Sequence, residues 1–156
     1  MISDLAGQGQ IQEAFLSAVD GCSIVPMDVE YPTYAEIVLQ YIAAVEASST
    51  LGTYDGVRFG YRVDGSEDIR EMFTQTRSQG FTSYSKMMML LGTYLLTGDQ
   101  YEQSYLKALK ARTRIREEFN KVWHECDVLV TPTVPTTKVP YGEDRALQKY
   151  TAACNL

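Results

Sequence analysis

Several signatures of self-sufficient chemistry are missing from this 156-residue sequence. It has a single histidine, His124, and no CxxC pair, so the usual clusters that bind zinc are absent. It also lacks a Walker A loop, a GxGxxG turn after a strand and a GxSxG elbow. No apolar run is long enough to span a bilayer, and the first ten residues lack the basic and apolar regions of a secretory signal. These absences predict a cytoplasmic chain with no metal, no cofactor and no membrane segment.

Charge and cysteine content narrow the class of protein further. The 14 basic and 20 acidic side chains give a net charge of −6, which disfavours non-specific binding to nucleic acid. The three cysteines, Cys22, Cys126 and Cys154, are odd in number and widely spaced, as expected for free thiols in a reducing compartment. The hydrophobic content of 45% at this length is typical of one soluble domain or of a piece of a larger one.

Apolar periodicity and capping patterns predict about six helices. Gly92 falls inside one of them at a cost of ~1 kcal/mol relative to alanine, which indicates that another backbone packs closely there. Glu117 and Lys121 have the spacing of an i,i+4 ion pair. The helices are expected over residues 8–20, 33–51, 66–79, with Ser66 as the N-cap, 82–97 and 99–124, and from about Arg145 onward.

The segment between the second and third helices, residues 53–65, contains three glycines and has no helical period. Turn chemistry predicts an ordered loop at this place. Its aromatic side chains, Tyr54, Phe59 and Tyr61, are costly to leave in water, so we expect them to be sheltered.

Only two segments have the character of strands. Residues 22–27 are short, apolar and partly β-branched, and residues 127–131 form a continuous apolar run of the kind that a parallel sheet covers on both faces. Two strands so far apart cannot form such a sheet alone. The sequence therefore predicts an α/β fold that is helix-rich with few strands, and residues 1–156 are expected to form a single partial domain of a larger α/β body.

Five motifs occur in the order VEASS (45–49), YDGVRFG (54–60), TRSQGF (76–81), LGTY (91–94) and DVLVTPT (127–133). With these motifs the chain resembles the amidase-signature family from about Thr33 onward, and within it the A subunits of glutamyl-tRNA(Gln) amidotransferases. The resemblance implies a C-terminal portion of a fold in which helices wrap a large mixed sheet. The function that it implies is amide hydrolysis, which releases ammonia from glutamine for tRNA transamidation.

The family's catalytic residues are two serines and a lysine in its N-terminal half, and the resemblance places none of them here. Ser48 and Ser49 match a different motif and lack the glycine-rich surround that would supply oxyanion donors. Lys86 lies in the middle of an expected helix beside three methionines and is no match either. We therefore expect no catalytic residue in this chain and no amide hydrolysis by the chain alone.

Candidate substrate-binding residues are Asp55, Arg58 and Arg77. Each has a structural alternative: Asp55 as a turn residue, Arg58 as a brace for its loop, and Arg77 as a cation at a helix C-terminus. The family's substrate-binding basic pair before LGTY is replaced here by Met87 and Met88, and Gln148 or Lys149 stands in the place of an acidic residue. Either the amide substrate is less charged than glutamine or the chain is a divergent paralogue.

The partners implied are other amidotransferase subunits or the missing N-terminal half, with tRNA reached only indirectly through a complex. The unpaired strand character of residues 128–131 also predicts self-association. An alternative function is that of a non-catalytic interaction module, a truncated paralogue that acts by association with other chains. Basic residues on the helix 99–124 are spread around it, which favours a solvated face over contact with tRNA: Lys107, Lys110, Arg112, Arg114 and Arg116.

Overall fold

The computed structural model describes residues 13, 16–25, 32–131, 133 and 151–156. Within these ranges the chain is helical and contains no β-strand. Its contacts divide it into two compact units, a central unit (Gln40–Leu109) and a terminal unit (Met1–Leu39 and Lys110–Leu156). The long helices are α1 (Pro32–Thr50), α2 (Ile69–Gly80), α3 (Ser83–Leu95) and α4 (Leu106–Val122). Shorter elements are a helical turn at Gly98–Gln100, a π-helix at Tyr101–Tyr105 that leads into α4, and 3-10 helices at Leu51–Thr53 and Ala153–Asn155.

Side-chain caps determine where α2 and α3 begin. The carboxylate of Asp68 accepts a hydrogen bond from the backbone N–H of Glu71 at 2.7 Å, and the hydroxyl of Thr82 accepts one from Ser85 at 3.2 Å. The helix expected from residue 66 therefore begins at Ile69, and Asp68 rather than Ser66 is its cap. A carboxylate is the stronger acceptor for an unpaired backbone N–H at a helix start.

The core of the central unit lies between α1 and α3. Ala44 and Val45 of α1 are buried together with Met88 and Leu95 of α3. At Gly92 the two backbones come so close that a Cβ atom would lie 2.8 Å from the Cβ of Ser48 and still closer to the backbone of α1. The close approach expected from this glycine is thereby confirmed.

The terminal unit has a separate small core. Ala35 of α1 and Ile115 and Val122 of α4 are buried with Ala152 and Ala153 near the C-terminus. The partly buried side chains packed against them are Leu39, Phe119, Cys126, Leu129 and Leu156. Helix α4 thus anchors the segment that follows it.

The two expected strands are not formed in the described residues. Residues 22–25 and 127–131 have neither helix nor strand structure, while residues 26 and 27 lie outside the described ranges. A strand needs the backbone of a neighbouring strand for its hydrogen bonds, and none is present in the part of the chain that is described. The helix-rich character of the expected fold is confirmed, whereas its strand content is not observed there.

Two local expectations differ from the structure. The aromatic side chains of Tyr54, Phe59 and Tyr61 were expected to be sheltered, but they are about half exposed. Lys121 donates to the carboxylate of Glu118 at 2.5 Å instead of to the expected Glu117. Residues three and four positions apart lie on the same face of a helix, so both glutamates are within the range of Lys121.

The chain ends also differ in part from expectation. Residues 13 and 16–18 are helical and Gly21 adopts a positive φ of 84°, in agreement with a first helix that ends near residue 20. Residues 151–156 form a turn and a 3-10 helix instead of an α-helix. The expected helix start near Arg145 lies outside the described residues.

Candidate functional site

The loop after α1 is organised by the carboxylate of Asp55. Its Oδ1 atom accepts hydrogen bonds from the backbone N–H groups of Val57 at 2.8 Å and Arg58 at 3.0 Å. The turn is closed by a bond from the N–H of Gly56 to the carbonyl of Phe59 at 3.2 Å. Gly56 has a φ of 78°, a left-handed conformation that favours glycine, so the YDGVRFG motif encodes a specific turn.

Asp55 also forms an ion pair with Arg58. Its Oδ2 atom accepts from Nε of Arg58 at 3.1 Å. The pKa of Asp55 is lowered to about 2, chiefly by the backbone hydrogen bond from Arg58, then by that from Val57, with a smaller contribution from the Arg58 side chain. Asp55 is therefore a permanent carboxylate near neutral pH and holds the turn instead of transferring protons.

Arg77, in the last turn of α2, connects this helix to the start of the loop. Its Nη1 atom donates to the carbonyl oxygens of Leu51 at 3.1 Å and Tyr54 at 3.5 Å. The guanidinium carbon lies 5.2 Å from the centroid of the Phe81 ring, within the range of a cation–π contact. Arg77 thus holds two backbone carbonyls through one nitrogen while its planar group lies over the Phe81 ring, and lysine has no planar group for that ring contact.

A second contact between the loop and α2 comes from Thr76, which sequence reasoning did not single out. Thr76 is 3% exposed, and its hydroxyl accepts from the backbone N–H of Val63 at 3.1 Å. A Cβ atom at Gly56 would lie 2.9 Å from Cγ2 of Thr76, so the two residues are closely packed. The available signal was its position beside Arg77 within the TRSQGF motif.

The structure therefore brings all three candidate residues to one loop. Asp55 and Arg58 bond each other, and Arg77 bonds the residue that precedes Asp55. Of the three, Arg58 has the most available donors: its side chain is 63% exposed, and only Nε has a partner in the described part of the chain. Its terminal nitrogens can donate to a carboxylate or a carbonyl oxygen of a ligand.

An open groove of about 550 Å³ lies beside Arg77. Both cationic side chains that line the groove donate to backbone carbonyls. Lys86 Nζ donates to the carbonyl of Ser78 at 2.6 Å, and Arg77 donates to the carbonyl of Leu51. The groove lining contains no carboxylate and no histidine among the described residues. Its surface is mainly apolar, and its two cations already hold backbone carbonyls. Its lining residues are Phe73, Thr74, Arg77, Ser78, Phe81, Lys86, Met89 and Leu90.

The adjacent serines of α1 are occupied by the helix backbone. The hydroxyl of Ser48 donates to the backbone carbonyl of Val45 at 2.7 Å, and the hydroxyl of Ser49 donates to the backbone carbonyl of Glu46 at 3.0 Å. A nucleophilic serine instead gives its proton to a base within hydrogen-bond reach.

Among the residues that are described, no three histidine, cysteine or acidic side chains are grouped to hold a metal ion. No helix in the same ranges is long and apolar enough to cross a membrane.

Comparison with known proteins shows which family the sequence matches. The amidase family model matches residues 8–156. The glutamyl-tRNA(Gln) amidotransferase A subunit of Halothermothrix orenii is 42% identical over 139 residues, which are 86% of this chain and 29% of that protein. The corresponding proteins of Caulobacter sp. strain K31 and Carboxydothermus hydrogenoformans are 42% and 45% identical over 80% and 75% of the chain, and 25% and 24% of their own lengths. The chain spans less than a third of the length of these curated relatives.

Proposed function

The chain belongs to the amidase family, and we propose that it forms the C-terminal portion of a cytoplasmic amide-hydrolysing enzyme of the same type as the glutamyl-tRNA(Gln) amidotransferase A subunits. In this proposal it helps to hold the amide substrate, and the reacting serines belong to another part of the enzyme. Its partners are that other part and the further subunits of an amidotransferase complex, through which tRNA is reached.

The loop at residues 54–60 carries the proposal, because it offers an exposed guanidinium on a preformed turn. Arg58 keeps its terminal nitrogens available while Asp55 holds both its backbone and its Nε. Arg77 bonds Tyr54 from α2. We assign Arg58 to contact with the substrate, and we assign Asp55 and Arg77 to positioning of the loop. Such preorganisation lowers the entropic cost of holding a substrate in one orientation.

The same proposal requires that the isolated chain be inactive towards amides. The hydroxyls of Ser48 and Ser49 donate to helix carbonyls, and the Lys86 ammonium donates to Ser78. None of these three groups forms a hydrogen-bonded pair of a nucleophile and a base in the described structure. We therefore expect no ammonia above background when the purified chain is incubated with glutamine, asparagine or a simple aryl amide.

A chimera tests the positive part of the proposal. The stretch of the Halothermothrix orenii protein that aligns with 139 residues of this chain is replaced by those residues, and ammonia release is measured with the same three amides. We expect turnover of at least one of them. Within the chimera, Arg58→Ala should lower kcat/KM by roughly 10- to 100-fold, the value of a lost hydrogen bond to a charged group.

The matched control is Arg62→Ala, an exposed arginine in the same loop without a contact to the substrate in this proposal. It should leave kcat/KM within about twofold, as surface substitutions usually do. A folded chimera without turnover of any of the three amides would overturn the proposal. Equal effects of the two alanine substitutions would remove Arg58 from the substrate site.

A second candidate function is association with other chains without catalysis. It is favoured by α3, which buries one face against α1 and leaves apolar side chains on the other face exposed to solvent. A helix that is apolar on both sides normally has a partner on both sides. The exposed residues of this face are Tyr84, Met87, Leu90 and Tyr94.

A further inference from the structure

Among the residues that the structure describes, Thr76 of α2 is the only polar residue that is almost fully buried. Both hydrogen-bonding functions of its hydroxyl are in use. The oxygen accepts from the backbone N–H of Val63 at 3.1 Å, and the hydroxyl hydrogen is donated to the sulfur of Met72 at 3.6 Å. Because a buried hydroxyl is costly without its partners, these two bonds fix the orientation of the side chain.

The two branches of the Thr76 side chain contact the two ends of one segment of the loop. The methyl group packs against Gly56, where an added Cβ atom would lie 2.9 Å from Cγ2. The hydroxyl binds Val63, further along the chain. Gly56 is buried, whereas residues 57–62 are all exposed. The exposed stretch between these two attachment points contains Arg58.

The other attachments of the loop do not fix the placement of this stretch on α2. Arg77 holds two carbonyls that lie before the turn. The described bonds of the Asp55 carboxylate all join residues of the turn itself, so they fix its shape but not its place on the helix. The hydroxyl of Tyr61 donates to Gln79 at 3.1 Å in an exposed position, where water competes for the bond. Thr76 is therefore the buried contact between the exposed stretch and α2.

We propose that Thr76 is a positioning residue for amide hydrolysis, which sets the placement of the turn on α2 and acts on the substrate only through Arg58. Thr76 is buried and does not touch the substrate itself. The guanidinium of Arg58 contacts a carboxylate or carbonyl oxygen of the substrate, and a small displacement weakens this contact because hydrogen bonds depend steeply on distance and angle. The inference rests on the proposed function for the role of Arg58.

The kinetic test uses the chimera described above. Thr76→Val keeps the shape and one methyl group but removes the acceptor for Val63, and it should lower kcat/KM by about 3- to 10-fold. Thr76→Ser keeps the hydroxyl and should remain within about threefold of the original chimera. The matched control is Thr93→Val, which removes an exposed hydroxyl that donates to the carbonyl of Met89 in the same helix. It should change kcat/KM by less than about twofold.

A second substitution separates positioning through Arg58 from a merely structural effect. In a chimera that already carries Arg58→Ala, Thr76→Val should change kcat/KM by less than about twofold, because the group that it positions is absent. The loss caused by Thr76→Val should also fall on the same parameter, kcat or KM, as the loss caused by Arg58→Ala. A merely structural effect would lower kcat/KM by the same factor in both backgrounds.

Amide hydrogen exchange in the isolated chain tests the attachment without turnover. Thr76→Val should increase the exchange rate at Val63 by about fivefold or more, since this amide loses its partner. The rates at Val57 and Arg58 should stay within about twofold, because Asp55 still holds these two amides. Thr76→Ser should leave all three rates within about twofold of the original chain.

A compensating pair of substitutions tests the methyl contact, and it takes the place of the valine variant if that variant does not fold. Gly56→Ala adds a Cβ atom 2.9 Å from Cγ2 of Thr76, and it should lower kcat/KM by about fivefold or more. Addition of Thr76→Ser removes this Cγ2 atom and should recover at least about twofold of the loss. The recovery is partial because the φ of 78° at residue 56 remains unfavourable for alanine.

An unchanged kcat/KM in Thr76→Val, an equal loss in the Arg58→Ala background, or an unchanged exchange rate at Val63 would each overturn the inference. Absence of recovery in the compensating pair would do the same. If the chimera is active and Arg58→Ala impairs it, these results remove the role of Thr76 alone and leave the proposed function intact. A folded chimera without turnover would overturn the proposed function and this role together.

Discussion

A methyl group added at Gly92 would overlap the carbonyl oxygen of Ala44. The methyl carbon would lie much closer to this oxygen than van der Waals contact allows. Because the oxygen belongs to the backbone, it cannot rotate away as a side chain could. The position therefore accepts only glycine, although a glycine in a helix interior normally weakens it by ~1 kcal/mol relative to alanine.

The first prediction is that Gly92→Ala destabilises the chain by about 3 kcal/mol, the upper range for overpacked cores. Urea unfolding measures the change in the free energy of unfolding. Gly52→Ala is the matched control, because a Cβ there meets no atom within 4 Å, and it should change stability by less than about 0.5 kcal/mol. A neutral or stabilising Gly92→Ala would contradict the close packing of α1 and α3.

The second prediction concerns the titration of Asp55. Carbon-detected NMR should find the pKa of its carboxyl at about 2, below the ordinary value of 3.8. Because backbone hydrogen bonds are the largest causes, Arg58→Ala should leave this pKa clearly below 3.8, and Arg62→Ala should not change it. A return of the pKa to 3.8 in Arg58→Ala would show that the ion pair is the main cause.

The same titration gives the sign of the pH dependence of stability. A pKa that is lower in the folded state favours folding above the unfolded value of 3.8, and this contribution is lost as the pH falls through about 2. The stability difference between the original chain and Asp55→Ala should therefore shrink between about pH 4 and pH 2. Unfolding curves at these two pH values and at pH 7 test it, and a difference that grows towards acid would contradict it.

The third prediction is that Arg77→Lys lowers the free energy of unfolding by about 1–2 kcal/mol. Lysine keeps the charge but cannot hold the carbonyls of Leu51 and Tyr54 together with the Phe81 ring contact. Arg70→Lys, on the exposed side of the same helix, should be neutral. Equal stability of the two lysine variants would mean that the brace between α2 and the loop contributes little.

The fourth prediction is that the isolated chain self-associates through the exposed apolar face of α3. Leu90 is 73% exposed at its centre, so Leu90→Lys should shift sedimentation towards monomer. Ser83→Lys adds the same charge at an exposed polar position of α3 and should leave the distribution unchanged. A monomer at high concentration for the original chain would exclude self-association.

The helices show how far sequence reasoning reached. The predicted segments 33–51, 66–79 and 82–97 correspond to α1, α2 and α3 within a few residues, because capping and hydrophobic periodicity act over neighbouring residues. The choice of cap was less secure: Asp68 and Ser66 are both good caps, and the carboxylate is the one used. Likewise, the candidates Asp55, Arg58 and Arg77 were visible as motif residues, whereas their joint attachment to one loop was not.

The sequence alone determined the elements whose hydrogen bonds join residues only a few positions apart, such as the helices and the Asp55 turn. Tertiary structure decided which faces those elements bury: Leu129 packs on the helical core, Thr76 anchors the loop, and Gly92 admits the backbone of α1. It also decided that residues 127–131 remain unpaired in the described structure. A helix satisfies its own backbone, whereas a strand exists only where a second strand supplies the other half of each hydrogen bond.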